Sequence, residues 1–115
     1  MKNDELVKLA YPNRPWFAVK CVYHDSKKGL YEERITLYRA RDGKEAIDKA
    51  EEETKQVCEA LEGYSYTGYA EAFHLFDEEF NDGVELYASL RKSKLSSADY
   101  VKKFVRTGEE IGFEK

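Results

Sequence analysis

Apolar and polar residues alternate with a period of two over residues 16–24, the pattern of a half-buried strand. Phe17, Val19, Cys21 and Tyr23 are the more uniformly apolar set and should face the core. Trp16, Ala18, Lys20, Val22 and His24 take the other side. Asp25-Ser26-Lys27-Lys28-Gly29 is a polar turn, so a second strand over 30–41 should return as a hairpin. One face of that strand carries Tyr31, Glu33, Ile35, Leu37 and Arg39, and the other Glu32, Arg34, Thr36 and Tyr38. The second set is the polar side and is expected to point outward.

The period then changes to that of a helix. Ala46, Ile47, Ala50, Thr54, Val57, Cys58 and Leu61 recur at three- and four-residue spacing, with Lys49, Glu51, Glu52, Glu53, Lys55 and Glu59 between them. Asp42 is the expected N-cap, Glu45 an acidic first-turn residue and Gly63 the C-terminal stop. Residues 64–77 read as a third strand with apolar residues on both faces, which suggests cover on both sides or a bulge near Gly68. Asn81-Asp82-Gly83 is a turn signal that predicts a hairpin to a fourth strand over 84–91. There Val84, Leu86, Ala88 and Leu90 should face in, and Glu85, Tyr87, Ser89 and Arg91 out.

Ser96 or Ser97 should cap a last helix over 98–106, with Ala98, Val101, Phe104 and Val105 as its apolar side and Gly108 as its end. Ile111 and Phe113 are expected to tuck the tail onto the body. The predicted class is α+β, one domain of order β-β-α-β-β-α: a four-stranded antiparallel sheet with two helices packed on one face. Residues 1–15, stopped by Pro12 and Pro15, read as a lead-in to a domain over 16–115.

Composition narrows the function more than the fold. A chain of 115 residues, 37% charged and 42% hydrophobic, suits one folded domain with a modest core. The formal net charge of −4 argues against strong electrostatic attraction to nucleic acid or an anionic membrane. The one dense basic run, Arg91-Lys92-Ser93-Lys94, reads as a solvated strand end. No transmembrane run or signal peptide is read, and Cys21 and Cys58 are expected as buried thiols rather than a disulfide. The expected location is the cytoplasm.

Several stretches in fixed order carry a likeness: 16–20 (WFAVK), 31–37 (YEERITL), Glu45-Ala46-Ile47 with Lys49-Ala50-Glu51, Gly68-Tyr69, Leu75-Phe76-Asp77 and 84–88 (VELYA). Over about residues 16–107 the chain resembles a bacterial family catalogued as domain of unknown function 4288. The resemblance implies a compact bacterial domain and brings no activity or catalytic residues with it.

Candidate chemistry is sparse. His24 and His74 fall on different hairpins, neither Cys has a partner at ligand spacing, and 77–79 with Asp82 reads as a solvated acidic turn, so no metal site and no cofactor is expected. Phosphate-binding and nucleophile-elbow motifs are absent from the sequence. His74, between Phe73 and Leu75, reads as a core histidine with an alternative role as acid or base. The favoured feature is the open sheet face. Lys20, Glu32, Arg34, Tyr38, Glu85, Tyr87 and Arg91 are placed there with Trp16 at its edge, a mixture of the kind found at binding hot spots. This points to a non-enzymatic module that docks a protein partner or a second copy of itself, in one form an immunity or antitoxin-like protein. The alternative is a ligand pocket or small enzyme around Arg34, Glu71 and His74, with Tyr87 as a donor.

Overall fold

A computed structural model describes residues 14–76 and 79–112. The N-terminal lead-in up to residue 13, Asp77 and Glu78 of the acidic turn, and Phe113 lie outside the described residues. Three antiparallel strands, β1 (Trp16–Asp25), β2 (Leu30–Arg39) and β3 (Tyr64–Leu75), make one sheet in the order β2-β1-β3. Between β2 and β3 runs the helix α1 (Gly43–Ala60), and a four-residue helix α2 (Ser97–Tyr100) follows much later.

β1 is the centre of the fold because it has a ladder on each edge and its odd-numbered side chains are buried. Phe17, Val19, Cys21 and Tyr23 form the core with Ala40, Ala46 and Ala50, as the alternation predicts. Ala46 and Ala50 are four apart on α1, so small side chains line the strip that meets β1 and the helix can approach the sheet closely. Thr54 continues the strip and is buried, with its hydroxyl satisfied at 2.6 Å by the carbonyl of Glu51. Asp42 caps the helix as expected, its carboxylate accepting from the amide of Glu45 at 2.8 Å. At the other end Gly63 (φ 88°) lies so near the first hairpin that a Cβ would come 2.9 Å from Lys27 Cγ. The amide of Ser26 donates to the carbonyl of Gly63 at 3.0 Å, tying that hairpin to the end of the helix.

The bulge near Gly68 is present. Cys21 faces Ala70 and Tyr23 faces Tyr66, so Thr67, Gly68 and Tyr69 together stand opposite Val22. Gly68 takes φ 90°, and the hydroxyl of Thr67 donates to the carbonyl of Val22 at 2.9 Å.

The fourth strand is not formed. Residues 84–91 make no ladder with β3, although their turn is closed by the amide of Val84 donating to the Asn81 carbonyl at 3.0 Å. A side-chain contact nevertheless joins them to β3: the ring of Tyr87 lies 5.9 Å from that of Phe73. The bulge opposes closing the ladder, because it bends β3 at Thr67–Tyr69 along the edge a fourth strand would use.

The last helix is also shorter than expected. Ser96 caps it through the amide of Asp99, but α2 ends at Tyr100 and a π-helical turn, Val101–Val105, follows, closed by Arg106 N donating to Val101 O. No residue of either turn is buried, so this segment is not a second helix packed beside α1. An isolated helix this short gains too little from its own hydrogen bonds to hold a regular winding without packing.

Candidate functional site

Side chains that pair directly across antiparallel strands share a face, which settles where the chemistry lies. The partners of β1 and β2 have residue numbers adding to 55, because Asp25 meets Leu30 across the four residues 26–29. Odd-numbered core residues of β1 therefore stand beside even-numbered residues of β2. Glu32, Arg34 and Tyr38, expected outside, lie on the helix side instead: Tyr23 faces Glu32, Cys21 faces Arg34 and Phe17 faces Tyr38.

There they build a polar layer toward the C-terminal half of α1. Tyr38 donates to Glu53, Tyr66 to Glu51 at 2.8 Å, and Tyr64 to Glu32 at 2.9 Å. Arg34 forks onto the Glu32 carboxylate at 2.9 and 3.3 Å and stacks over the ring of Tyr23. The guanidinium holds Glu32 below the usual carboxylate range, and burial pushes the Cys21 thiol up. Each of these polar groups has a partner, so the layer closes the helix onto the sheet rather than offering a free site.

The outer face carries Trp16, Ala18, Lys20, Val22 and His24 of β1, Tyr31, Glu33, Ile35, Leu37 and Arg39 of β2, and Glu71, Phe73 and Leu75 of β3. It divides into two halves. At the Trp16 end it is covered: Ala18 and Leu75 are buried, Phe80 packs on Trp16 at 5.3 Å, Arg39 stacks on that indole, and Tyr87 packs on Phe73. Glu71 belongs to this half. The hydrogen bond from Tyr69 lowers its pKa first, and the Tyr87 hydroxyl, Lys20 and Arg91 nearby add to the effect. Tyr87 is pushed up, first by burial and then by that carboxylate.

The other half is open. Tyr31 is 69% exposed, Ile35 48% and Tyr69 50%. His24 stacks on Tyr31 with ring centres 4.5 Å apart, and Lys20 pairs with Glu33 across the strands. An aliphatic residue, two tyrosines and a histidine thus stand on a rigid two-ladder sheet, bordered by an ion pair. Such a surface is well suited to bury against a complementary one.

Of the residues singled out from the sequence, Trp16, Lys20, Glu71, Tyr87 and Arg91 gather on or beside the outer face. His74 does not join them. It is exposed on the helix side of β3, opposite Phe17 and stacked on that ring at 5.0 Å, with Phe76 also against it. It is neither a core histidine nor near Glu71, which points to the opposite face, and Arg34 is tied up with Glu32. The pocket expected around Arg34, Glu71 and His74 is therefore not assembled. Tyr31, Ile35, Tyr69 and His24 escape a reading of the sequence by polarity, and the length of the first turn is the signal that could have found them.

A cleft of about 780 Å³ opens between the β1–β2 turn and the tail, sharing Tyr31 and Glu33 with the open half. Asp25, Glu32, Glu33, Glu109 and Glu110 line it, with no Lys or Arg among the described lining residues. Among the described residues no cluster of three or more His, Cys, Asp or Glu is placed to hold a metal ion, and no helix is long and apolar enough to cross a membrane. No family model, curated protein or solved structure matches the chain.

Proposed function

We propose that this chain is a non-enzymatic protein-binding module that docks a partner through the open half of its outer sheet face. The observation that carries the reading is the set Tyr31, Ile35 and Tyr69, each about half exposed or more, on the two edge strands of the sheet, Tyr69 in the β3 bulge. Exposed apolar groups on a preorganised sheet lose little entropy when covered, and tyrosine supplies both area and a polar tip. The acidic balance of the chain favours a basic partner, since complementary charge speeds capture. An immunity or antitoxin-like protein of the bacterial cytoplasm is the concrete form of this reading.

The test is a paired pull-down with outer-face and helix-face variants. Ile35→Glu with Tyr31→Ala should abolish capture of a specific partner while leaving the circular dichroism spectrum intact. His74→Gln should leave capture unchanged. Equal capture by the double variant and the parent chain would rule out the outer face as the docking surface.

A further inference from the structure

Beyond that reading, though the cleft it engages shares Tyr31 with the open face, lies the segment 91–106. It holds six cations, Arg91, Lys92, Lys94, Lys102, Lys103 and Arg106, against the single carboxylate of Asp99. The rest of the chain has thirteen cations against twenty-two carboxylates. The molecule is thus strongly divided in charge although its net charge is small. None of the six cations makes a salt bridge with a described carboxylate. Arg91 is held locally, over the Phe104 ring at 4.1 Å and donating to the Tyr100 hydroxyl at 3.1 Å.

The same segment shows its apolar side to solvent. Leu95, Val101, Phe104 and Val105 are all exposed, and no residue of α2 or of the π-helical turn is buried. A short helical stretch with cations beside an uncovered apolar stripe is a docking element lacking its receptor. The complementary surface is on the same chain. The acidic cleft has Tyr31, Leu30 and Ile111 among its walls, so it offers apolar contact together with carboxylates. Glu32 and Glu33 already pair with Arg34 and Lys20, buried Asp25 accepts from the amides of Lys27 and Lys28, and Glu110 accepts from Thr107 and Gly108, which leaves Glu109 at the rim as the most available carboxylate.

We infer that the segment 91–106 of one copy docks into the acidic cleft of a second copy of this chain, and reciprocally. The geometry permits the reciprocity because Thr107, Glu109, Glu110 and Ile111 line the cleft directly after the basic segment ends. Segment and cleft are therefore neighbours, and a two-fold axis between them places each copy's segment opposite the other's cleft. Such an interface is isologous and closes on itself as a dimer instead of growing into a filament. The contact joins opposite charges near the surface, so added salt weakens it.

The experiment is sedimentation of the full chain at low and high salt, with two charge-reversed variants alone and mixed. The parent chain should be a dimer at low salt that dissociates as salt rises. Lys102→Glu with Lys103→Glu should weaken self-association about tenfold or more, as should Glu109→Lys. Mixing the two variants restores opposite charge across the interface, so an equimolar mixture should form the heterodimer that neither variant forms alone. A chain that stays monomeric to its solubility limit overturns the inference, as does a dimer indifferent to both reversals or a mixture that fails to reassociate. Monomer that instead sediments with phosphatidylserine vesicles through the same lysines would assign the segment to an anionic membrane surface and likewise overturn it.

Discussion

Residues 16–75 and 79–112 carry similar local signals, yet only the first stretch becomes a packed body. Both contain alternating runs, a capped helix start and glycine-marked turns. In the first, β1 has partners on both edges, α1 seats its alanines on it, and the buried core collects there. In the second, no strand ladder forms, and eight of the thirteen large apolar side chains left exposed among the described residues lie between Phe80 and Ile111. Caps and turns start elements; buried contacts at long sequence separation keep them. Beyond Phe80 on Trp16 and Tyr87 on Phe73, the second stretch shows few such contacts among the described residues, which is why it is the natural place to look for a partner.

The contrast can be broken most forcefully in the core. Phe17 is buried against His74 and α1, so Phe17→Ala should cost about 3–5 kcal/mol in denaturant unfolding. The matched change Phe104→Ala, on the π-helical turn, should cost roughly 0.5 kcal/mol or less in the same measurement. Comparable losses would mean that the second stretch belongs to the folding unit after all.

A smaller effect is expected where the backbone itself is specialised. Gly68→Ala places a side chain at φ 90°, and should destabilise by about 1 kcal/mol or somewhat more, measured by thermal unfolding. Open space around that position leaves the backbone as the cause, since a Cβ there would meet nothing within 4 Å. Removal of the helix caps sharpens the comparison further. Asp42→Ala should cost about 1 kcal/mol of global stability, whereas Ser96→Ala should alter only the local exchange of the Asp99 amide.

The mildest perturbation is acid. Hydrogen bonds from the amides and hydroxyl around Thr107 pull Glu110 down to about 2. Because the folded value lies below the usual carboxylate range, its contribution is present in full above that range and is lost as pH falls through about 2. Amide shifts of Thr107 and Gly108 should therefore titrate in that window, while those of β1 do not follow the same curve. A midpoint in the ordinary carboxylate range would show that the turn is not formed.

Much of the first stretch is legible in the sequence. The alternation of β1, the Asp42 cap, the alanine strip of α1 and the bulge at Gly68 all follow from local pattern and backbone chemistry. The faces of β2 are not, because there polarity does not signal exposure. Glu32, Arg34 and Tyr38 satisfy one another and the carboxylates of α1, so polar side chains occupy the helix side while Tyr31 and Ile35 face out. The expected fourth strand rests on a genuine turn at Asn81-Asp82-Gly83. Whether such a turn closes a ladder depends on the bulged edge of β3, and the turn itself does not encode that. The candidate site shows the same limit in miniature. Residue type alone selects its members, and the pairing register puts Glu32, Arg34 and Tyr38 on the opposite face from Trp16 and Lys20.

Hydrogen exchange of individual amides tests the division of the chain most directly. The amides of Val19 and Cys21 in β1 should exchange slowest, near the limit set by global unfolding, and those of residues 84–91 should exchange within the first time points. Protection over 84–91 equal to that of β3 in the isolated monomer would contradict this division, because it would mean that a fourth strand is formed and that the second stretch is part of the packed body.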